Sequence, residues 1–308
     1  MKAALLTPAI APTAAPAAGG LADYVAVTRP RIAVLVLFTV GAGGLFAALP
    51  GTPPAVILHA ILGTALVASG ASALNQWLER HTDARMRRTK DRPLPAGRLT
   101  PGAVFAYGLT LAAVGVSYLL VTIASPLPAV LAGVTFALYV AVYTPLKTRT
   151  TLNTLVGAVP GAMPPVIGYA AVRGEVDAAA VALFAIVFVW QIPHFLAIAW
   201  MYREDYSDAG LCMLPVMDPG GRLTSRQMVL YCIALIPVSL TPALVSRAGP
   251  GYVVCASLLA VYFLASCVRF ARSPDDERAR GVLRASLVYL PLVLVALVLD
   301  RLWASPPS

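Results

Sequence analysis

The chain has 308 residues, of which 59% are hydrophobic and only 12% are charged, and its formal net charge is +9. Soluble domains carry about one quarter charged residues, so this composition excludes a water-soluble globular fold. The positive charge is typical of basic loops that orient a membrane protein at anionic lipid, and it does not indicate nucleic-acid binding.

The N-terminal segment, residues 1–27, is predicted to be a disordered tail. A single lysine and an apolar run broken by prolines make it a poor signal peptide. Residues 28–303 are predicted to form a single transmembrane domain.

Nine uncharged stretches follow, each near the length that crosses roughly 30 Å of hydrocarbon as a helix. They cover residues 32–49, 55–74, 102–123, 127–146, 152–172, 178–201, 228–246, 252–268 and 285–299. None of them contains Lys, Arg, Asp or Glu. We therefore predict an all-α, polytopic membrane protein with about nine transmembrane helices.

The charged residues gather at one end of these spans. With the N-terminus in the cytoplasm, all but three of the 23 basic residues lie on the cytoplasmic side, the exceptions being Arg173, Arg247 and Arg301. This distribution obeys the positive-inside rule and predicts that orientation in the cell inner membrane. Most acidic residues share the same side, although the rule does not require it. Either the outer loops are simply short, or the inner face is a polar working surface.

A first acidic group ends the second predicted span. Asn75, Glu79 and Asp83 are spaced four residues apart, so a helix places their oxygen atoms in one stripe. Most charged helix faces are merely solvated, but polar groups directly after a long apolar run usually line a cavity. We predict that these three residues are catalytic and bind metal, and that nearby cations bind diphosphate, namely Arg87, Lys90 and Arg92.

The segment YTPLKTRTTLN links the fourth and fifth predicted spans on the same side. Its basic residues either only orient the neighbouring spans in the membrane or bind a departing diphosphate. Beside acidic groups we favour the second interpretation, with Tyr143, Lys147 and Arg149 binding diphosphate and Lys147 also catalytic.

A second acidic group follows the sixth predicted span and contains Glu204, Asp205 and Asp208. Mg²⁺ binds oxygen ligands, typically a few carboxylates together with substrate phosphates. A purely basic patch would not hold the metal, and a purely acidic patch would repel the substrate. Two acidic groups in basic surroundings therefore predict a Mg²⁺-diphosphate site. His194, inside the sixth span, is either a packing residue or a functional one.

Several motifs in order resemble the protohaem IX farnesyltransferases, a branch of the UbiA-type intramembrane prenyltransferases. They are NxxxExxxD at 75–83, MRRTKDRPLPAGR, YTPLKTRTTLN, PGAMPPVIGYAA, WQIPHFLAIAW and REDYSDAGLCMLPV. The resemblance implies a UbiA-type domain with nine helices around a central cavity that opens laterally to membrane lipid. It also implies two Mg²⁺-binding acidic motifs at the cytoplasmic end of the bundle.

The same resemblance implies that farnesyl diphosphate and haem b are the substrates, that haem O is the product, and that haem A synthase is a candidate partner. His194 gains a role as an axial ligand to haem iron. The second motif departs from a DxxxD pattern, because Met201 stands four residues before Asp205, whereas Glu204 and Asp208 have that spacing.

Three alternatives remain open. A prenyltransferase for an aromatic quinone precursor would share the diphosphate chemistry and differ only in the acceptor pocket. A transporter for an anionic lipid or metabolite would place its ionisable groups near the bilayer midplane, whereas they lie at one face here. A non-catalytic haem-bearing subunit would offer paired histidines within the spans.

Overall fold

The computed structural model describes residues 19–246 and 248–304, and this part of the chain is helical with no strand. The helices are α1 (Leu21–Val27), α2 (Pro30–Ala47), α3 (Pro54–Asp83), α4 (Pro101–Thr122), α5 (Leu127–Ala137), a π-helical segment (Leu138–Tyr143), α6 (Thr144–Leu146), α7 (Asn153–Arg173), α8 (Ala178–Met201), α9 (Arg203–Asp208), α10 (Leu214–Met217), α11 (Arg222–Val245), α12 (Pro250–Arg272) and α13 (Asp276–Ala304).

Nine helical segments in the described part are long and apolar enough to cross a membrane, which confirms the predicted all-α polytopic fold. The fourth of them, Leu127–Leu146, combines α5, the π-helical segment and α6. The seventh and ninth begin earlier than predicted, at Arg222 and Asp276. An apolar stretch stops at the first charged residue, whereas the helix continues through it into the polar region.

The predicted tail is wrong at its C-terminal end, because Leu21–Val27 form α1. The Arg98 guanidinium donates to the Asp23 carboxylate at 2.8 Å, and the buried Gln76 amide donates to the Val27 carbonyl at 2.7 Å. These contacts hold α1 against α3 and the loop that follows it. Residues 1–18 of the predicted tail lie outside the described residues.

Helices α2 and α7 cross at the centre of the bundle with their backbones in direct contact. A Cβ atom on Gly168 would lie 1.9 Å from the Val40 carbonyl oxygen, so no larger residue fits at that position. Small residues allow membrane helices to approach this closely. One buried cluster joins this pair to α8, α11, α12 and α13, and another joins it to α3, α4 and α5.

An apolar cavity of about 150 Å³ lies on the α3–α5 side of the crossing. Side chains of α2, α3, α5 and α7 line it, among them Val36, Val67, Phe136 and Pro164. Tyr139 of the π-helical segment also lines it. The cavity is lined almost entirely by carbon, so it suits a hydrocarbon chain.

The π-helical segment has a local cause in the sequence. Pro145 lacks an N–H and its ring clashes with the carbonyl four residues earlier in a regular α-helix. The Thr144 hydroxyl donates to the Tyr139 carbonyl at 2.8 Å, across the wider turn. Such single wide turns occur frequently at functional sites.

Candidate active site

The end of α3 carries the first acidic group in one stripe, as the four-residue spacing requires. Asn75 and Asp83 are both 0% exposed. The Asn75 amide donates to the Thr144 hydroxyl at 3.1 Å, and the Asp83 Oδ2 atom accepts from Arg92 at 2.6 Å.

One side-chain oxygen of each residue has no hydrogen-bond donor in the described part of the chain. Oδ1 of Asn75 and Oδ1 of Asp83 are buried with no hydrogen-bond partner in the described part of the chain. Burying an acceptor without a partner costs about 1–3 kcal/mol, so native proteins rarely leave one. Eight residues of helix separate the two oxygens by about 12 Å, so each fits one ligand of a different hard divalent cation.

Glu79, between them in the stripe, forms a buried ion pair with Lys147 instead. Glu79 Oε1 and Lys147 Nζ are 2.6 Å apart, and each side chain is 11% exposed. The same ammonium lies 4.5 Å from the centre of the Tyr143 ring, a cation–π contact. Burial by itself lowers the pKa of Lys147, but the adjacent Glu79 carboxylate reverses this and raises the pKa above its usual value. Lys147 is therefore a fixed cation beside the carboxylates.

The loop between α3 and α4, residues 84–100, covers this end of α3. Met86 packs with Ala199 and Leu211 on one side, and Leu94 packs with Val27 on the other. Arg92, in the middle of the loop, is the cation paired with Asp83. Loop side chains are thus held in place on both sides of the stripe.

The second acidic group is more exposed than the first. Arg87 lies 3.7 Å from Glu204 and 3.8 Å from Asp205, and the backbone N–H of Arg88 donates to Asp205 at 3.4 Å. Asp208, at the end of α9, is exposed. The loop that covers the first acidic group therefore also contacts the second.

Two hydrogen bonds of the Cys212 backbone fix the chain that follows α9 to Lys147 and to the start of α7. The Cys212 N–H donates to the Lys147 carbonyl at 2.7 Å. The Asn153 amide donates to the Cys212 carbonyl at 2.7 Å. Residues from α3, α6, α7 and α9 therefore meet at one polar end of the bundle.

A complete metal site is not formed by acidic side chains alone. Within residues 19–246 and 248–304, no three His, Cys, Asp or Glu side chains lie close enough together to hold a metal ion. A divalent cation bound here would take ligands from Asn75 and from substrate phosphate as well as from carboxylates. The predicted metal ligands Asn75, Glu79, Asp83, Glu204, Asp205 and Asp208 stay a prediction.

Two of the predicted diphosphate ligands lie at the surface of this region. Lys90 and Arg149 are exposed and form no ion pair with the described residues. Their charges are thus available to a ligand, whereas those of Arg92 and Lys147 are already paired with carboxylates.

The sequence pattern does not single out Arg29, which precedes the first span. It is the one non-glycine residue with a positive φ in the described part, at 53°. Its Nε atom is buried and has no partner among those residues. The only signal in the sequence is a basic residue placed directly before a proline that begins a span.

His194 lies in the interior of α8 and is fixed by two neighbours. Its ring stacks on Trp190 with centroids 4.8 Å apart, and its Nδ1 atom is 2.8 Å from the Ser286 hydroxyl oxygen. The Leu283 carbonyl, 2.7 Å from the same hydroxyl, can only accept, and when the single hydroxyl proton is donated to it, Ser286 accepts from His194 Nδ1–H. The Nε2 atom then carries the lone pair, and it has no hydrogen-bond partner in the described part.

A nine-span bundle with an apolar cavity below a site of carboxylates and cations is the architecture of an intramembrane prenyltransferase. Residues 35–295 match the model of the UbiA prenyltransferase family, and the chain belongs to that family. It is therefore a multi-pass membrane protein, as its spans indicate.

Among relatives, the chain is 49% identical to a protoheme IX farnesyltransferase of Solibacter usitatus (strain Ellin6076), over 91% of this chain and 98% of the relative. It is 43% identical to a protoheme IX farnesyltransferase of Koribacter versatilis (strain Ellin345), over 91% of this chain and 94% of the relative. These similarities cover nearly the whole of each protein.

Two solved structures share the fold. A digeranylgeranylglyceryl phosphate synthase superimposes with a TM-score of 0.75 at 15% identity, covering 92% of this chain and 99% of that one. A UbiA homologue from Archaeoglobus fulgidus, bound to GPP and Mg²⁺, superimposes with a TM-score of 0.63 at 16% identity, covering 89% and 99%.

Proposed function

We propose that this protein transfers the farnesyl group of farnesyl diphosphate to a vinyl group of haem b, with addition of water, to give haem O and diphosphate. The observation that carries the proposal is the pair of buried, unpartnered oxygens of Asn75 and Asp83 beside fixed cations. The choice of acceptor is supported by the relatives, which are protoheme IX farnesyltransferases.

Asn75 and Asp83 would each contribute to a separate Mg²⁺ ion, since they lie about 12 Å apart along α3, and the second acidic group would add ligands when the diphosphate is present. Bound Mg²⁺ supplies stabilisation of the charge that develops on the diphosphate oxygens. The Archaeoglobus fulgidus homologue, which binds GPP and Mg²⁺, supports a metal-dependent diphosphate site. Farnesyl diphosphate would be the donor here.

Basic side chains of the protein stabilise the rest of the negative charge on the diphosphate at this end of the bundle. Arg92 and Lys147 are held in place by Asp83 and Glu79, so they need little reorganisation as the allylic C1–O bond breaks and its electron pair leaves on the diphosphate. Arg87, Lys90 and Arg149 neutralise the remaining charge at the surface. Tyr143 limits the mobility of the Lys147 ammonium.

The apolar cavity receives the farnesyl chain and keeps water from the allylic carbon until the vinyl group has attacked. The new carbon–carbon bond forms between the vinyl group and C1 of the farnesyl group. A water oxygen then adds to the other vinyl carbon and loses a proton, which leaves a hydroxyl group.

His194 positions the acceptor as an axial ligand to haem iron. Its Nδ1–H is bound to Ser286, which leaves the Nε2 lone pair for the metal of this substrate. Histidines that bind metals commonly donate their other ring N–H to an oxygen in this way.

The protein would lie in the cell inner membrane with the acidic groups and the N-terminus in the cytoplasm, where the basic residues concentrate. A haem A synthase would be the enzyme to receive the product.

The test is incubation of the purified protein in detergent with haem b, farnesyl diphosphate and Mg²⁺, with haem products identified by mass spectrometry. We expect haem O to form, to disappear on metal chelation, and to form about 10²–10³ times more slowly in Asp83→Asn. The matched control Asp300→Asn changes a carboxylate at the opposite end of the bundle, where Asp300 accepts from the Gly249 N–H, and is expected to keep activity. Prenylation of an aromatic acid instead of haem would overturn the acceptor, and transfer to no acceptor would overturn the reaction.

A further inference from the structure

A second polar pocket, here called the arginine pocket, adjoins the carboxylate stripe and has a volume of about 590 Å³. It is formed by the α1–α2 junction, by α3 and by the 84–100 loop. Five arginines line it against one carboxylate, Asp91, and the arginines are Arg29, Arg31, Arg88, Arg92 and Arg98. Only Arg92 and Arg98 have carboxylate partners among the described residues, so the pocket carries excess positive charge.

Arg29 is held in this pocket in an unfavourable backbone conformation and with an unsatisfied donor. A φ of 53° is unfavourable for a side chain with a Cβ atom, and a following proline disfavours helical conformations further. Its Nε–H is a buried donor with no partner in the described part of the chain. Strained, unsatisfied side chains of this kind persist where surrounding structure imposes them, and they concentrate at ligand sites.

The surrounding structure that imposes this conformation is the docking of α1. The Gln76 amide holds the Val27 carbonyl, two residues before Arg29, and the Asp23–Arg98 pair holds the other end of the helix. Gln76 and Arg98 line the pocket themselves. The residues that hold Arg29 in the pocket therefore come from segments that are far apart in the sequence.

The cations in the pocket act on one another. Arg29 and Arg92 line the same pocket, and of the two only Arg92 is paired with a carboxylate, Asp83, in the described part of the chain. Bringing an anion into the pocket relieves this repulsion, so a ligand with negative oxygens is favoured there.

The composition of the pocket distinguishes between the two anionic substrates. A diphosphate that is held by Mg²⁺ needs metal-binding oxygens, and the unpartnered ones are on the α3 stripe. The arginine pocket has a single carboxylate, so it suits an anion that needs no metal. Guanidinium groups bind both carboxylates and phosphates, so the distinction between the two substrates rests on the metal.

The arginine pocket is a neighbour of the apolar cavity, because Ile32 lines both. An apolar acceptor with carboxylates on one edge can therefore bind through them in the arginine pocket and lie beside the farnesyl chain that the cavity receives. Haem b has this chemistry, since it is an apolar macrocycle with two propionate carboxylates on one edge. We propose that the arginine pocket binds the propionates of the haem acceptor, with Arg29 as the principal ligand; this inference rests on the proposed function.

The experiment compares haem b with its dimethyl ester, in which both propionates are neutral. Binding of each form is followed by absorbance titration with wild-type protein, Arg29→Met and the control Arg280→Met, an exposed arginine on α13 outside the pocket. The KM for farnesyl diphosphate is measured in parallel. A hydrogen bond to a charged group corresponds to about tenfold or more in affinity.

We expect wild-type protein and Arg280→Met to bind haem b at least about tenfold more tightly than the ester. In Arg29→Met this preference is expected to fall severalfold, while the KM for farnesyl diphosphate stays within about twofold of wild type. The wild-type comparison needs no variant, so the inference stays testable if Arg29→Met fails to fold.

Equal binding of haem b and its ester by wild-type protein would overturn the pocket assignment and leave the proposed function intact. A large rise in the KM for farnesyl diphosphate in Arg29→Met, with haem affinity unchanged, would assign the pocket to the diphosphate instead. Wild-type protein that binds neither haem form would overturn the proposed function as well.

Discussion

Both acidic groups carry carboxylates at the same end of the bundle, but they differ in burial and in the helices that carry them. Asn75 and Asp83 lie on one continuous helix, 0% exposed, each with an oxygen that has no partner in the described part. Glu204 lies on a separate short helix, its side chain is 76% exposed, and its nearest cation, Arg87, is 3.7 Å away. The first group is arranged before any substrate binds, whereas the second depends on the substrate and metal to complete it.

This difference predicts a large effect for Asp83→Asn. We expect kcat/KM to fall by about 10²–10³, because the change removes charge from a water-excluded site and leaves Arg92 without its partner. Initial rates of haem O formation at saturating Mg²⁺ measure the effect. A loss smaller than that of Asp208→Asn would reverse the proposed ranking of the two groups.

The buried ion pair of Glu79 and Lys147, next to Asp83, gives the second test. Glu79→Gln or Lys147→Met alone leaves an uncompensated charge, and we expect each to lower the free energy of unfolding by about 3 kcal/mol. The double variant removes both charges and is expected to lose less than the sum of the two. Thermal unfolding in detergent, combined in a double-mutant cycle, measures the coupling. Strict additivity would show that the two charges act independently.

The same pair predicts a pH dependence. The folded-state pKa of Lys147 is raised, so the contribution of its charge is fully present below the unfolded value, about 10.4, and is lost only as pH rises through the higher folded value. We expect the stability difference between wild type and the double variant Glu79→Gln/Lys147→Met, in which neither member of the pair titrates, to stay constant from about pH 7 to pH 10. A decline in that difference below pH 9, in unfolding measurements, would contradict a fixed cation.

A smaller effect is expected for the exposed acidic group. Asp208→Asn should lower kcat/KM by about tenfold or less, because solvent screens the missing charge. The loss should also be recovered in part by raising the Mg²⁺ concentration. Rates measured over a Mg²⁺ series for Asp208→Asn and Asp83→Asn separate the two groups, since the buried one should not recover.

The smallest expected effect concerns the binding of haem b, the prenyl acceptor. Ser286→Ala removes the hydroxyl oxygen that receives the hydrogen bond from His194 Nδ1–H. We expect about fivefold weaker haem binding together with a shift of the haem absorption band. Ser266→Ala is the control, because Ser266 also donates to a carbonyl of its own helix but does not contact His194. An unchanged spectrum would remove Ser286 from the haem site.

The sequence predicts well what local patterns encode. Apolar length locates the nine spans, and four-residue spacing places Asn75, Glu79 and Asp83 on one stripe. In the second group the spacing argument covers only Glu204 and Asp208, which share the short α9, because the break at Tyr202 separates α9 from the long helix α8.

Features that depend on distant parts of the chain are not encoded locally. The seven-residue α1 has no pattern that separates it from the preceding tail, and its stabilising partners are Gln76 and Arg98. Glu79 and Lys147 are each conspicuous as charged residues, but nothing in either segment specifies that they pair across 68 positions. Ser286 is a single small polar residue in an apolar span and gives no signal.

The π-helical segment Leu138–Tyr143 amounts to one inserted residue that the fourth span absorbs without a break. Everything after it is turned by about 100° relative to an uninterrupted helix. A deletion of one codon here would therefore restore a regular α-helix and leave the residues after it in place. Regular α-helical winding of the full-length segment would instead swing Thr144 and Lys147 together away from Asn75 and Glu79, so this turn sets the direction of a whole group of side chains at once.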